Sequence, residues 1–189
     1  MRVIGGMLKK RRLGSVPGRG TRPTADRLRE SIFNILGDRV RGAEVLDIFA
    51  GTGAMGIEAL SRGAARAVFV DNHGAAVSAI RKNLTACGIE ALARVIRWDA
   101  SRNLNCLGAE KNRFTLVFLD PPYGAGMILP SLTNLHRCGT LTRGAEIVVE
   151  HTPDEPIAFP SVPNGAPLFS IADRRKYGKT LVSFFEYML

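Results

Sequence analysis

The chain has 189 residues, 46% of them hydrophobic, and a formal net charge of +9. This length predicts a single domain with a full core, and no apolar run approaches the roughly 20 residues that a membrane span requires. The basic N-terminus lacks the apolar stretch of a secretory signal, and an odd number of widely separated cysteines argues against disulfides or a zinc site. We therefore expect a cytoplasmic protein that needs neither membrane nor metal.

Positive charge is concentrated near the N-terminus. Residues 1–41 hold eleven Lys and Arg against three acids, whereas the remaining chain is nearly neutral. Such a concentration is typical of a polyanion-binding surface, although a solvated basic face that aids solubility is the alternative. We predict a basic, nucleic-acid-binding extension over residues 1–41 and a second region over residues 42–189. The side chains expected to contact phosphates are Lys9, Lys10, Arg11, Arg12, Arg22 and Arg27.

The first elements of the chain are predicted to be a β-hairpin and a helix. Val3-Ile4 and Met7-Leu8 are expected to form short strands around a Gly5-Gly6 turn. Thr24 is a suitable N-cap for the helix that follows, and Gly37, or Gly42 after a fraying turn, is a suitable end for it. The apolar face of this helix is predicted to consist of Leu28, Ile32, Ile35 and Leu36, with Phe33 beside it.

From residue 43 onward, strands and helices alternate. Strands are predicted over residues 44–49, 67–71, 93–98, 114–120 and 145–150, with helices over residues 55–62, 75–87 and 127–138. This alternation favours a parallel sheet with helices on both faces, which is an α/β fold. The last part of the chain differs, because residues 167–176 and 180–187 predict an antiparallel hairpin around a short turn.

A glycine-rich turn follows the first of these strands. Gly51 and Gly53 allow the backbone to turn tightly and to approach a ligand closely. Together with Gly56 they fit the pattern G-x-G-x-x-G, and Asp71 follows Gly51 at the distance of the ribose-binding acid in dinucleotide-binding folds. The glycine pattern alone therefore fits either a nicotinamide or an adenosyl cofactor.

The acids near this turn favour the adenosyl cofactor. Asp47 would repel a pyrophosphate, whereas S-adenosylmethionine (SAM) has no phosphate and carries an ammonium and a sulfonium. Asp71 would accept hydrogen bonds from the ribose hydroxyls, and Asp99 would either face the adenine amine or cap a helix. The predicted cofactor-binding residues are Asp47, Phe49, Ala50, Gly51, Thr52, Gly53, Asp71, Asn72, Asp99 and Ala100.

The motif Asp120-Pro121-Pro122-Tyr123 follows a buried, apolar strand. Proline cannot donate to a sheet ladder, and two successive prolines make the turn stiff. Ligands bind at the carboxyl ends of strands in open α/β sheets. A carboxylate beside an aromatic ring suits a planar group with an N–H that must be held, although a surface turn with a capping aspartate is the alternative.

In this order and spacing, the motifs resemble those of class I SAM-dependent methyltransferases that modify exocyclic amines. The segments Arg22-Pro23-Thr24, Asp26-Arg27, Arg29-Glu30 and Phe33-Asn34 resemble the N-terminal signature of the RsmD-type 16S ribosomal RNA guanine-N2 methyltransferases, and Tyr177-Gly178-Lys179-Thr180 agrees with it. The resemblance implies a Rossmann-like, seven-stranded sheet whose last strand is antiparallel. It also implies SAM as the methyl donor and 16S rRNA, or the assembling small subunit, as the partner. We expect a monomer.

With a guanine as the target, Asp120, Pro121 and Tyr123 are predicted to be catalytic. Asp120 and the Pro121 carbonyl would accept the two N2 hydrogens, while the Tyr123 ring would stack on the base. An adenine-N6 methyltransferase acting on DNA or another RNA is an alternative, because the same motif suits that amine equally well. A nicotinamide-dependent oxidoreductase is a more remote alternative, because it has no use for this motif.

Overall fold

Seven strands form one sheet in the computed structural model, which describes residues 1–16, 23–108, 114–155, 157 and 167–189. The strands are β1 (Glu44–Ile48), β2 (Arg66–Asp71), β3 (Ala93–Arg97), β4 (Phe114–Leu119), β5 (Leu141–His151), β6 (Phe169–Tyr177) and β7 (Thr180–Tyr187). Their order in the sheet is β3-β2-β1-β4-β5-β7-β6. The strands β1 to β5 are parallel, whereas β7 is antiparallel to both of its neighbours. The predicted α/β fold and C-terminal hairpin are confirmed.

Helices cover both faces of this sheet. They are α1 (Pro23–Leu36), α2 (Ala54–Ser61), α3 (Gly74–Cys87) and α4 (Ile128–Arg137). Alternate strand residues point to opposite faces, so Val45 packs in the cluster beneath α1, α2 and α3, whereas Leu46 packs in the cluster beneath α4. Within the described residues, no helix combines the length and apolarity needed to cross a membrane.

Most predicted boundaries lie within two residues of the observed ones, and β5 is the exception. It begins at Leu141 rather than at Ala145, so the prediction was four residues too short there. The ladder between β4 and β5 shifts register, with Phe114 opposite Leu141 but Leu116 opposite Glu146. This bulge accommodates Gly144, which has a left-handed φ of 78°.

Helix α1 belongs to the main apolar core. Leu28, Ile32 and Leu36 are buried as predicted, and the helix ends before Gly37 as expected. Phe33 is also fully buried, and its ring centroid lies 5.5 Å from that of Phe118 in β4. Ile35 is only partly buried, so the apolar stripe of the helix is centred nearer to Phe33 than the sequence pattern indicated.

The predicted register of the N-terminal hairpin was wrong. The Val3 amide donates to the Arg11 carbonyl at 2.9 Å, and the Lys10 amide donates to the Val3 carbonyl at 2.9 Å. Met7 therefore lies in the connecting loop, where its amide donates to the Ser61 carbonyl of α2 at 2.8 Å. Contacts with α2, rather than a tight Gly5-Gly6 turn, set this register.

A buried carboxylate on α2 anchors this hairpin. Glu58 accepts hydrogen bonds from the amides of Ile4 and Gly5, at 2.8 and 2.7 Å. It also forms ion pairs with Arg62 at 2.8 Å and with Arg29 of α1 at 3.6 Å. Buried charges are tolerated when they are paired in this way, so Glu58 fastens both the hairpin and α1 to the sheet domain.

We predict that Gly56→Ala destabilises the protein by about 1–3 kcal/mol, because a Cβ at residue 56 would lie 2.3 Å from the Phe69 ring in β2. Gly74→Ala is the matched control in α3, because a Cβ there would meet nothing closer than Arg97 at 3.8 Å. Urea unfolding of both variants measures the difference. Equal stability of the two variants would contradict the close packing of α2 on β2.

Candidate active site

A cavity of about 360 Å³ lies at the carboxyl ends of β1, β4 and β5. Its lining includes the predicted residues Asp47, Phe49, Ala50, Gly51, Thr52, Asp120 and Tyr123. The glycine turn and the Asp-Pro-Pro-Tyr motif, about 70 residues apart in the chain, thus face one space because β1 and β4 are adjacent parallel strands. The opposite wall is formed by α1 and the N-terminal segment, through Met1, Ser15, Val16, Leu28, Arg29 and Ile32.

The glycine turn is held by a buried side chain. The Asp47 carboxylate at the end of β1 accepts a hydrogen bond from the Gly56 amide in the first turn of α2, at 2.9 Å. The chain between them must reverse within a few residues, and Gly51 and Gly53 do so with φ values of 57° and 76°. Phe49 also has a left-handed φ of 60°, a strained conformation for a bulky residue of the kind that clusters at ligand sites.

Asp47 is an unusual carboxylate, because only 3% of its surface is exposed. Burial raises its pKa to about 8, and the negative charge of Asp71 adds to this effect, while the Gly56 hydrogen bond opposes it. A carboxylate in such a place gains from a positively charged ligand, which would offset the cost of its burial.

Asp71 supports the glycine turn from the neighbouring strand. Its two carboxylate oxygens accept hydrogen bonds from the amides of Gly51 and His73, each at 2.9 Å. It is buried at the end of β2 and does not line the cavity, whereas Asn72 beside it is exposed. Asp71 therefore supports the glycine turn from outside the cavity lining, and its contact with a ribose stays a prediction.

The predicted residues after β3 lie outside the cavity lining. Asp99 closes a turn, accepting hydrogen bonds from the Ser101 hydroxyl at 2.6 Å and the Ser101 amide at 3.1 Å, and it pairs with Arg102 at 3.1 Å. The Ser101 hydrogen bond is the main cause of its lowered pKa. The Ala100 side chain is buried in the core, and its carbonyl accepts a hydrogen bond from Asn134 at 3.1 Å.

The Asp-Pro-Pro-Tyr motif presents its polar groups at the carboxyl end of β4, in the middle of the sheet. Asp120 is exposed, and its amide lies 3.5 Å from the Ile48 carbonyl, so β4 remains beside β1 up to the motif. Pro121 is buried, whereas the Tyr123 side chain is 48% exposed. This arrangement leaves a carboxylate and an aromatic ring accessible from the same space.

Sequence reasoning assigned no site role to Glu150, the residue that holds this tyrosine. The Tyr123 hydroxyl donates to Glu150 Oε1 at 2.5 Å and lies 3.3 Å from the Thr180 hydroxyl. Burial raises the pKa of both Tyr123 and Glu150. The position of Glu150 could have suggested a site role, because it follows the buried core of β5. The carboxyl end of that strand lies beside the carboxyl end of β4.

Sequence reasoning gave no site role to two buried polar residues, of which Arg29 lines the cavity and Asn83 contacts the glycine turn. Arg29 is 3% exposed and its guanidinium donates to the Arg2 carbonyl at 2.5 Å. Asn83 of α3 bonds to both the amide and the carbonyl of Gly14, at 2.7 and 3.2 Å, and donates to the Thr52 carbonyl at 2.9 Å. Arg29 thus holds the N-terminal segment against α1, whereas Asn83 joins that segment to the glycine turn.

None of the predicted phosphate contacts that the structure describes is among the residues that line the cavity. Lys9, Lys10, Arg11 and Arg12 are exposed on the hairpin, and Arg27 is exposed on α1. Arg22 lies outside the residues that the structure describes. The part of the chain that is described contains no group of three or more His, Cys, Asp or Glu side chains able to hold a metal ion.

We predict that Asp47→Asn changes how stability depends on pH. The folded-state pKa of about 8 exceeds the unfolded value near 3.8, so ionisation opposes folding. The contribution of Asp47 to stability is therefore fully present below the unfolded pKa of about 3.8. It is lost as the pH rises toward the folded-state pKa of about 8. Relative to the variant, the wild-type protein should lose up to about 1.4 kcal/mol per pH unit between pH 5 and 8. Urea unfolding across this range measures the difference, and parallel pH profiles would contradict the raised pKa.

Comparison with known proteins gives a consistent result. The family model described as Conserved hypothetical protein 95 matches residues 1–186. The Bacillus subtilis protein YlbH is 37% identical over 186 residues, which are 98% of each chain. Ribosomal RNA small subunit methyltransferase D of Escherichia coli is 37% identical over 163 residues, covering 86% of this chain and 79% of the relative.

A solved structure supports the same relationship. The Escherichia coli protein yhhF superposes with a TM-score of 0.81 at 34% identity, covering 100% of this chain and 98% of the other. Its fold therefore matches over the whole sheet, including the C-terminal hairpin and the N-terminal segment. The chain belongs to the ribosomal RNA small subunit methyltransferase D family, as its motifs predicted, and is a methyltransferase that requires a methyl donor.

Proposed function

We propose that this protein transfers a methyl group from SAM to the exocyclic N2 amine of a guanine in 16S rRNA, either free or within an assembling small subunit. The observation that carries the proposal is the single cavity shared by the glycine turn and by Asp120 and Tyr123. The Escherichia coli relative, whose name specifies small-subunit ribosomal RNA, supports this class of substrate.

The cavity fits SAM in size and chemistry. Its volume of about 360 Å³ lies within the range of roughly 300–1,000 Å³ that is usual for small-molecule sites. A Cβ on Gly51 would meet nothing closer than the Phe49 carbonyl at 3.9 Å, so the backbone there is open to a ligand. Asp47 offers a carboxylate to an ammonium group, whereas it would repel the pyrophosphate of a nicotinamide cofactor. The bound SAM supplies an electrophilic methyl group on its sulfonium.

Residues of the second motif then act on the base. The N2 lone pair of guanine is delocalised into the ring, so the amine must be biased toward a tetrahedral geometry. Asp120 and the Pro121 carbonyl accept hydrogen bonds from the two N2 hydrogens and stabilise the positive charge that develops on nitrogen. The Tyr123 ring stacks on the base, and this recovers about 1–3 kcal/mol of the cost of taking the base out of its stack.

The N-terminal extension over residues 1–41 holds the RNA, while residues 42–189 carry the cofactor and the chemistry. The basic surface consists of Lys9, Lys10, Arg11, Arg12 and Arg27, all exposed, with Arg22 as a further contact. The adjacent N-terminal residues and α1 also line the cavity, so phosphate contacts on this surface would bring the target base near the Asp120 motif. Such an enzyme acts as a monomer in the cytoplasm.

We predict that wild-type protein forms N2-methylguanosine in small-subunit RNA with labelled SAM, as identified by nucleoside mass spectrometry. Asp120→Ala should keep SAM affinity within about threefold, because Asp120 does not hold the cofactor, yet lose about 10²–10³ in turnover. Asp173→Ala, at a partly exposed residue outside the cavity lining, is the control and should retain activity. Full turnover by Asp120→Ala would exclude this role, and N6-methyladenosine would support the adenine alternative.

We also predict that the double variant Lys9→Gln/Arg12→Gln weakens RNA binding and flattens its salt dependence. Two lost phosphate contacts should reduce the slope of log K against log salt by about 1.4, the value for single strands. The matched double variant Arg66→Gln/Arg143→Gln removes two exposed charges on β2 and β5, outside the segment proposed to bind RNA, and should leave the slope unchanged. Filter binding at several salt concentrations measures both, and equal slopes would favour the solubility explanation of the basic segment.

A further inference from the structure

Glu150 lies next to Asp120 at the edge of the cavity. Strands β4 and β5 are parallel neighbours in which Leu119 is opposite Val149, so Asp120 and Glu150 follow at the same level of the sheet. Both residues line the cavity. The site therefore contains a second carboxylate beside the one proposed to hold the reacting amine.

The Glu150 carboxylate is held in place but not saturated. The Tyr123 hydroxyl donates to Oε1, and among the described residues no other hydrogen bond to Glu150 is found. A carboxylate can accept about four hydrogen bonds, so Oε2 retains its capacity to bind a ligand. Burial raises the pKa of Glu150, while the hydrogen bond from Tyr123 favours its ionised form.

The carboxylates of Asp120 and Glu150 make this end of the cavity rich in hydrogen-bond acceptors, and the Thr180 hydroxyl, which can donate or accept, also lines it. Asp120, the Pro121 carbonyl and an ionised Glu150 all accept hydrogen bonds, and none of them donates. Guanine presents donors at both N1 and N2 along one edge, whereas adenine presents an acceptor at N1 beside the donor at N6. A buried acceptor that faces another acceptor is strongly unfavourable, so this set distinguishes the two bases.

We propose that Glu150 is the specificity-determining residue, accepting the N1 hydrogen of guanine while Asp120 and the Pro121 carbonyl hold its N2 amine. This inference rests on the proposed function, because it requires a base placed against Asp120. Tyr123 has two tasks in this arrangement, since its ring stacks on the base and its hydroxyl fixes the orientation of the carboxylate. The selectivity for guanine over adenine then arises from the chain's own acceptors.

A different role for Glu150 would be only to orient the Tyr123 ring. The substitution Glu150→Gln separates the two roles, because the amide oxygen still accepts the Tyr123 hydrogen bond while the amide nitrogen becomes a donor toward the base. The substitution Tyr123→Phe does the opposite, because it removes the hydrogen bond and leaves the carboxylate. Glu150→Asp keeps the charge on a shorter side chain.

The test uses two small-subunit RNAs that differ only at the target position, one with guanine and one with 2-aminopurine. The analogue retains the N2 amine but has an acceptor at N1 in place of the N–H. The wild-type protein should prefer guanine by about 100-fold or more in kcat/KM, because the analogue leaves Glu150 facing a lone pair. Glu150→Gln should reduce this preference at least tenfold, while SAM affinity measured by calorimetry stays unchanged.

The control variants should keep the preference for guanine. Tyr123→Phe and Glu150→Asp are expected to lower the rate on both RNAs and to leave their ratio near that of the wild type. An unchanged ratio in Glu150→Gln would overturn the inference, and so would an equal shift in Tyr123→Phe, which would assign the effect to the orientation of the ring. If Glu150→Gln fails to bind SAM, Glu150→Asp replaces it in the test. Loss of the guanine preference in Glu150→Asp would then overturn the inference. If the wild-type protein methylates no guanine, the proposed function fails as well.

Discussion

The hydrogen bond from the Gly56 amide to Asp47 is the constraint on which the site depends. It joins the end of β1 to the first turn of α2, and the chain between them is forced into left-handed conformations at Phe49, Gly51 and Gly53. The resulting turn opens the cavity, and Asp71 supports it from β2 through the Gly51 amide. The cost of burying Asp47 appears as its raised pKa, and a cationic ligand reduces that cost. Stability and the proposed binding of a cationic cofactor are therefore coupled through one carboxylate.

The N-terminal segment has a structural task as well as a charge. Glu58 and Asn83 hold it against α2 and α3 by bonds to backbone groups, which do not depend on the basic side chains. Those side chains remain exposed and available to phosphates. The same segment supplies Met1, Ser15 and Val16 to the cavity wall, so the proposed RNA surface and cofactor site share an element. Movement of this segment on RNA binding would therefore change the shape of the cavity.

Charge is separated by sign across the molecule. The chain carries a net charge of +9, most of it at the N-terminus, yet the cavity lining includes the acids Asp47, Asp120 and Glu150. In the proposed function, the basic surface attracts the RNA backbone, whereas acids that line the cavity repel phosphates and accept hydrogen bonds from a base. A polyanionic substrate can thus be bound tightly without its backbone competing for the site. The proposed RNA would thus place its phosphates on the basic surface and its target base at the acids that line the cavity.

The sequence determined the features that depend on local pattern. The alternation of strands and helices followed from periodicity, and the glycine turn and Asp120 were placed at strand ends because glycine and proline interrupt regular structure. The tertiary structure decided what depends on distant partners. The hairpin register follows Glu58 and Ser61, which lie more than 50 residues away, and the early start of β5 follows a bulge against β4. Glu150 entered the site only because β5 lies beside β4, since a glutamate at a strand end carries no local signal of what it faces.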